Sequence, residues 1–264
     1  MVKDKKYINQ LLKKGYFIYD IENKSELNKL KDVIFNKSRK ILNQKELKNT
    51  FFNNFHNLKK SKLTLNDFRI KLMKEINSKH NLSDRGFKIF HNIIGRIFGQ
   101  DIATQKNVNL VIHQPGDTTQ VTVHRDAPPN SEYEMVVWLP LVDTYKTKNM
   151  YILDKSKTAE LLKKVNKLSK KKTKKELIMD KYYSFAFKNA DQKKIKFGQA
   201  LLFWTALIHC VPVNKEKETR WSLNFRYKNT FSPYGTKGFP DYFKVVSSSP
   251  VTKLTLEKKE KSYT

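Results

Sequence analysis

Two side chains that can bind a metal ion, His124 and Asp126, lie two residues apart in the stretch TQVTVHRD. The β-branched residues of this stretch favour a strand, in which alternate side chains point to the same face. A neutral imidazole and a carboxylate on one face can both coordinate a transition metal. An ordinary surface pair fits the same two residues equally well, so the rest of the chain has to decide between the two interpretations.

A third candidate ligand, His209, follows much later, within the apolar stretch GQALLFWTALIHC. Its residue types predict a strand that begins after Gly198 and delivers His209 at its end. Two histidines and one carboxylate form the facial triad of non-haem Fe(II) oxygenases. Three such ligands occupy one face of an octahedron and leave three positions open for other reactants. The order of the residues therefore favours an open metal site.

The stretch TRWSLNFRYK carries two of the seven arginines of a chain that otherwise uses lysine for its positive charge. Strand alternation divides this stretch into a polar face, with Arg220, Ser222, Asn224 and Arg226, and an apolar face, with Trp221, Leu223, Phe225 and Tyr227. A planar guanidinium binds a carboxylate through two parallel hydrogen bonds. We therefore expect one arginine of the polar face to hold a carboxylate.

The elements that must position these residues change character along the chain. The 264 residues are interpreted as one domain, with residues 1–104 mostly helical by their apolar spacing. Residues 105–235 consist of short β-rich runs separated by turn residues, which predicts a two-sheet β core. Residues 236–264 form a C-terminal extension, and we expect its polar, charged tail after about residue 244 to be frayed.

Within the β core, residues 155–182 are rich in lysine and partly helical in pattern. They predict a surface insertion, either a lid or a decoration. The run YYSFAF at its end is interpreted as the next strand. His113, in NLVIHQP, is interpreted as a core or edge histidine, and Cys210 as a packing residue that points away from the face of His209.

The chain has 53 Lys and Arg against 25 Asp and Glu, a formal net charge of +28. Such a charge suits nucleic acid, an acidic membrane surface or anionic substrates, but a solvated lysine surface without a dedicated partner is the favoured interpretation. Nucleic acid is the weaker expectation, because arginines and interleaved aromatic residues do most of the reading in such sites.

No apolar run is long enough to span a membrane, and the N-terminus does not resemble a signal peptide. One cysteine fits the cytoplasm. The pattern leaves the oligomeric state open.

Taken together, three motifs give the sequence a resemblance to a known group. His124-Arg125-Asp126, the stretch that contains His209, and Arg220-Trp221-Ser222 eleven residues after His209 resemble the Fe(II)/2-oxoglutarate-dependent dioxygenase superfamily. The spacing and the stretch VVWLPLVD are similar to the phytanoyl-CoA-hydroxylase-like branch. The ending NKEKETRWSLNFRYKNTFSPYG further resembles oxygenases that occur sporadically in bacterial carbohydrate-biosynthesis clusters.

The resemblance implies a double-stranded β-helix, a jelly roll of the cupin type, with the N-terminal helices packed against it. It also implies that His124, Asp126 and His209 ligate Fe(II), while Arg220 holds the distal carboxylate of 2-oxoglutarate with the help of Ser222. Trp138 is expected to wall the co-substrate site. Arg226 remains the rival clamp, since some nucleic-acid demethylases of the superfamily place the arginine about that far along.

The implied function is the oxidation, mainly the hydroxylation, of a small molecule by O₂ and 2-oxoglutarate. A sugar, a sugar nucleotide or another anionic conjugate is the expected substrate. Two alternatives stay open: oxidative demethylation of nucleic acid, and a cupin-like protein that binds metal or ligand without catalysis.

Overall fold

The computed structural model of the protein describes residues 2–45, 48–58, 63–119, 122–127, 130–171 and 174–261. Four layers follow one another through this part of the molecule: N-terminal helices, a large antiparallel sheet, a small antiparallel sheet and a helical hairpin. The fold therefore combines helices with antiparallel sheet, as the change of periodicity along the chain predicts.

The helices of the described residues fall into three groups. Five precede most of the strands: α1 (Val2–Lys14), α2 (Lys24–Leu42), α3 (Lys48–Phe51), α4 (Leu65–His80) and α5 (Leu82–Phe98). Two form the hairpin and one follows the last strand: α6 (Lys155–Lys170), α7 (Lys175–Asn189) and α8 (Pro250–Lys261). Side-chain hydrogen bonds fix the starts of several of these helices. Thr64 and Asp67 form a reciprocal capping box at the start of α4, which satisfies backbone donors that the first turn leaves free.

The strands of the described residues form two sheets. The large sheet has the order β1-β7-β5-β9-β2-β10, and β3 also pairs with β9; the small sheet has the order β4-β8-β6. The strands are β1 (Tyr16–Asp20), β2 (Ile102–Gln105), β3 (Asn109–His113), β4 (Thr122–His124), β5 (Glu134–Pro140), β6 (Tyr151–Ile152), β7 (Gln199–Trp204), β8 (His209–Val211), β9 (Arg220–Asn229) and β10 (Phe243–Ser247).

The outer face of the large sheet packs against the N-terminal helices. The apolar row of β9 lies in this layer, where Trp221 is fully buried among four phenylalanine rings of the helical part: Phe51, Phe52, Phe55 and Phe68. Helix α5 approaches β9 closely at Gly86, since a Cβ at this position would lie 2.2 Å from the ring of Phe225. The apolar face predicted for β9 is thus the face that holds the helices.

The inner face of the large sheet meets the small sheet. Val136, Trp138 and Phe203 of the large sheet pack there with Ile152 of the small sheet. The polar row of β9 shares this inner face. Its side chains therefore lie between the two sheets, away from bulk water, rather than on the surface.

The outer face of the small sheet is covered by α6 and α7. Val123 and Cys210 pack there against Leu161 and Ala186 of the hairpin, so Cys210 points away from the face of His209, as expected. The interpretation of YYSFAF as a strand is wrong, because these residues lie within α7. Helix α7 extends past the expected end of the insertion, and its half-buried Tyr182, Tyr183 and Phe187 pack in the same cluster as the buried Ala186.

The C-terminal extension is ordered well beyond the expected fraying point. β10 pairs with β2 and joins the large sheet, and the Ser249 amide donates to Asp101 just before α8 begins, over 2.7 Å. Residues 262–264 lie outside the described part. Among the described helices, none combines the length and the apolar character needed to cross a bilayer.

Candidate metal centre

The three predicted ligands meet between the sheets. His124 ends β4 and lies directly opposite His209, which begins β8. Asp126 follows two residues later. One ligand atom from each of the three residues lies within 4.8 Å of the other two, and His124 Nε2 is 3.7 Å from Asp126 Oδ1. Two imidazoles and one carboxylate at this spacing can share one transition-metal ion.

Two details of this placement differ from the prediction. The strand after Gly198 ends at Trp204, and a turn then leads to His209 at the start of a different strand in the other sheet. Asp126 lies past the end of β4, where its amide donates to the carbonyl of Thr205 over 3.0 Å. The turn after β7 therefore holds the loop that carries the carboxylate, a pairing that periodicity along one stretch does not reveal.

Hydrogen bonding orients the imidazole of His209. Its Nδ1 lies 3.1 Å from the carbonyl of Leu207, so Nδ1 carries the proton and Nε2 keeps its lone pair for a metal ion. The ring of Phe203 packs 4.9 Å away. His209 is buried, whereas the side chain of His124 is 47% exposed. The centre is therefore accessible from the side of His124.

The protonation states suit metal binding. Burial lowers the pKa of His209 to about 4, with the attraction of Asp126 opposing the shift. Loss of hydration also lowers the pKa of His124. For Asp126, burial raises the pKa, but the charge of Arg226 and the two imidazoles outweigh it and hold the pKa below its usual value. Two neutral imidazoles and a carboxylate anion are the forms that bind metal.

Arg226 is bound to the candidate ligand Asp126. Its Nη2 lies 3.0 Å from Asp126 Oδ2, and its Nη1 lies 3.8 Å from Oε2 of the buried Glu134. Glu134 is held in turn, because its other carboxylate oxygen accepts the Ser131 amide over 3.0 Å. Asp126 thus directs one oxygen toward the histidines and the other toward Arg226. Sequence reasoning missed Glu134, although an acid at the start of an otherwise apolar strand is an available signal.

Arg220 lies deeper on the same inner face and has unused hydrogen-bonding capacity. It is 1% exposed, and its Nη1 donates to the carbonyls of Lys148 and Asn149 over 3.4 and 3.2 Å. Its guanidinium carbon is 5.6 Å from the ring of Trp138. Burial lowers the pKa of Arg220 to about 10, so the group stays charged at neutral pH.

Several polar atoms around Arg220 have no partner among the described residues. They are Nε of Arg220, Oγ of Ser222 and Nδ1 of His113. His113 lies directly opposite Arg220 in the antiparallel register of β3 and β9, so both side chains occupy the same face. Buried polar atoms are almost always hydrogen-bonded in proteins. The unpartnered Nε of a buried cation, together with two unpartnered polar atoms beside it, indicates a site for a polar, anionic molecule.

His113 itself is buried, as expected for a core histidine, but it belongs to this polar cluster. Its Nε2 lies 3.3 Å from the carbonyl of Asp117, and burial together with the charge of Arg220 lowers its pKa to about 4. The sequence alone favours a packing role for His113, because a single histidine in a strand gives no signal of the residue opposite.

The sequence matches no protein-family model and no curated protein. The fold is similar to that of several solved enzymes. "Non-heme alpha ketoglutarate dependent carbocyclase SnoK from nogalamycin biosynthesis" aligns with a TM-score of 0.55 and 12% identity, over 90% of this chain and 88% of its own. "Non-heme monooxygenase, ThoJ-Ni complex" aligns with a TM-score of 0.53 and 14% identity, over 91% and 83%. EctD from S. alaskensis in its apoform aligns with a TM-score of 0.53 and 11% identity, over 85% of this chain and 76% of its own. The arrangement of helices and antiparallel sheets in this chain is therefore one that non-haem oxygenases use.

Proposed function

We propose that this protein is an Fe(II)- and 2-oxoglutarate-dependent oxygenase that acts on a small molecule. The observation that carries the proposal is the combination, between the two sheets, of the His124-Asp126-His209 cluster with a buried arginine whose neighbours lack partners. A metal ion with three protein ligands keeps positions for O₂ and a chelating keto acid. The similarity of fold to SnoK and ThoJ supports the same class.

In this proposal, His124, Asp126 and His209 bind Fe(II). Arg220 holds the distal carboxylate of 2-oxoglutarate, with Ser222 as a hydrogen-bond donor and Trp138 as a wall of the site. Arg226 is the weaker candidate for this clamp, because it is already paired with Asp126 and Glu134. We further propose that the two sheets form the double-stranded β-helix of the phytanoyl-CoA-hydroxylase-like branch, and that residues 1–264 form one domain.

The iron and the co-substrate would supply oxidising power: O₂ and 2-oxoglutarate are converted to succinate and CO₂, and one oxygen atom enters the substrate as a hydroxyl group. The protein binds the reactants, orients them and excludes water. We propose a sugar, a sugar nucleotide or a related anionic conjugate as the substrate. The exposed edge of His124 and the adjacent Arg125 leave an approach on which an anionic group can be bound.

The test measures binding and turnover separately. Metal-free protein is titrated anaerobically with Fe(II) and then with 2-oxoglutarate by calorimetry, and succinate is measured after O₂ and a panel of sugar nucleotides are added. We expect one iron and one 2-oxoglutarate per chain, and succinate formation that His209→Ala abolishes. Binding of iron without any binding of 2-oxoglutarate would favour the non-catalytic, cupin-like alternative. Turnover with methylated single-stranded DNA and none with small molecules would favour demethylation.

A further inference from the structure

A groove of about 650 Å³ lies between α6 and α7. The hairpin packs on the outer faces of β4 and β8, whereas His124 and His209 project from their inner faces. The small sheet therefore separates this groove from the metal centre. The groove belongs neither to the proposed iron site nor to the arginine cluster, and the proposed reaction assigns it no role.

The groove has an apolar floor and a cationic rim. Half-buried Val165, Leu168 and Phe185 form the floor. The rim consists of exposed lysine side chains from both helices: Lys164, Lys167, Lys171, Lys181 and Lys188. An amphipathic molecule can therefore place its apolar part on the floor and its negatively charged group among the lysines.

The positive charge of the rim is mostly uncompensated. Glu160 is the one acid that lines the groove, and it is already paired with Lys157 and Lys164 over 3.4 and 2.8 Å. Within the described part of the chain, the four remaining rim lysines take part in no salt bridge. Like charges around one concavity repel each other, and a bound anion relieves this repulsion.

The shape of the groove selects among anionic partners. Its volume is within the range of roughly 300–1,000 Å³ that is usual for small-molecule sites, and is too small for two turns of a partner helix about 10 Å wide. A membrane surface fits poorly, since interfacial helices bury an outward apolar face, whereas these apolar residues lie below the lysines. The groove, whose floor has Phe185 as its one aromatic residue, also lacks the arginines and the series of stacked aromatic residues that bind single-stranded nucleic acid.

We propose that the α6–α7 groove binds a small amphipathic anion, with an aliphatic or aromatic tail on the floor and a phosphate, sulfate or carboxylate head among the lysines. This is a second ligand site on the far side of the small sheet from the metal centre.

The test uses decyl phosphate, below the concentration at which it forms micelles, as the probe for calorimetry on the full-length protein without iron. We expect one decyl phosphate per chain. The double variant Lys181→Gln/Lys188→Gln should weaken binding about tenfold, because two cation–phosphate contacts are lost. Leu168→Ser should weaken binding to a similar extent, because it removes apolar surface from the floor on which the decyl chain packs. Circular dichroism checks that both variants keep the wild-type helix content. The matched control, Lys5→Gln/Lys6→Gln on the exposed face of α1, should bind like wild type.

Three results would overturn the proposal. Decanol could bind as tightly as decyl phosphate, which would make the rim irrelevant. Inorganic phosphate alone could bind as tightly, which would make the floor irrelevant. Vesicles that contain anionic phospholipid could bind in a manner sensitive to Lys181→Gln/Lys188→Gln while free decyl phosphate does not bind, which would make the hairpin a membrane contact. Because the probe is titrated without iron or 2-oxoglutarate, a negative result here is independent of the proposed oxygenase function.

Discussion

The two arginines of β9 lie six residues apart on the same face, yet their surroundings give them different chemistry. Arg226 is committed to Asp126 and Glu134. Arg220 has backbone partners on one nitrogen and none on Nε among the described atoms. Arg226 forms a close ion pair with Asp126 and so positions that carboxylate, although its Nη1 has no hydrogen-bond partner. Arg220 forms no ion pair with a carboxylate of the described residues, so it can bind the carboxylate of a ligand. Substitution of Arg220 should therefore weaken the binding of 2-oxoglutarate, whereas substitution of Arg226 should weaken the binding of the metal ion.

Arg220→Ala should raise the dissociation constant for 2-oxoglutarate, because a buried carboxylate loses its charge-assisted hydrogen bonds. The expected cost is on the order of 2–4 kcal/mol, or roughly 30- to 1000-fold. Arg220→Lys should recover part of it, because a point charge cannot form the two-bond fork. Calorimetry measures both. The matched ligand is 2-oxobutyrate, which lacks the distal carboxylate, and its weak binding should be unchanged by Arg220→Ala. Equal losses for both keto acids would contradict this assignment.

Arg226→Ala should weaken metal binding rather than co-substrate binding. Removing the guanidinium frees Oδ2 of Asp126, so the carboxylate loses its fixed orientation toward the histidines. Loss of such an outer partner typically costs about 10- to 100-fold in metal affinity. Titration with Co(II) measures the affinity, and its visible spectrum reports the coordination geometry. Arg220→Ala serves as the reciprocal control and should leave Co(II) affinity within about twofold. If Arg226→Ala abolishes 2-oxoglutarate binding and keeps Co(II) binding, the roles of the two arginines are reversed.

At the scale of whole elements, the α6–α7 hairpin is more than a decoration of the surface. Leu161 is 1% exposed and packs, with Ala186, over Val123 and Cys210 of the strands that carry the two histidines. Removing residues 155–182 would cut α7 in half and uncover the outer face of the small sheet. The expected bounds of the insertion therefore do not coincide with a structural unit, since α7 continues to Asn189.

Leu161→Ala should lower the free energy of unfolding by about 2–4 kcal/mol, since it removes buried methyl groups and leaves a cavity. Leu177→Ala, in the same hairpin but 50% exposed, should change it by less than about 0.5 kcal/mol. Urea denaturation measures both variants. Similar small effects for the two leucines would mean that the hairpin is not part of the folded core.

The elements also show which features were predictable from sequence. The alternation of β9 predicts both its helix-facing row and its polar row, because a ten-residue strand gives a strong two-residue period. YYSFAF carries aromatic residues suited to a strand, but its place in the groove-forming helix is decided by contacts with β4 and β8 far away in sequence. The triad was predictable by residue type and order, whereas the pairings Arg226–Asp126 and His113–Arg220 depend on strand register.

The layered arrangement of helices and sheets places titratable groups in the interior of the protein. His113 and His209 both lie between the sheets, and burial lowers both pKa values to about 4. Other buried charges, such as Arg220 and Arg226, add to the cost of protonating these imidazoles. The folded, metal-free protein therefore keeps both histidines neutral at pH values where an unfolded chain would protonate them.

This difference predicts a loss of stability in mild acid. Because the unfolded state binds more protons than the folded state between pH 6.5 and pH 4, the free energy of unfolding is highest above pH 6.5 and decreases as the pH falls through this window. The lowering of the pKa of His113 to about 4 by burial is equivalent to roughly 3 kcal/mol. His113→Gln can still donate to the Asp117 carbonyl but cannot titrate, so it should reduce the slope of stability against pH by about one proton. Urea denaturation at several pH values, in the presence of a chelator, measures the slope. His91→Gln, the same substitution at an exposed position on α5, is the matched control for the effect of the substitution itself. An unchanged slope for His113→Gln would show that His113 takes up a proton without unfolding, and that the polar cluster around Arg220 is open to water rather than closed between the sheets.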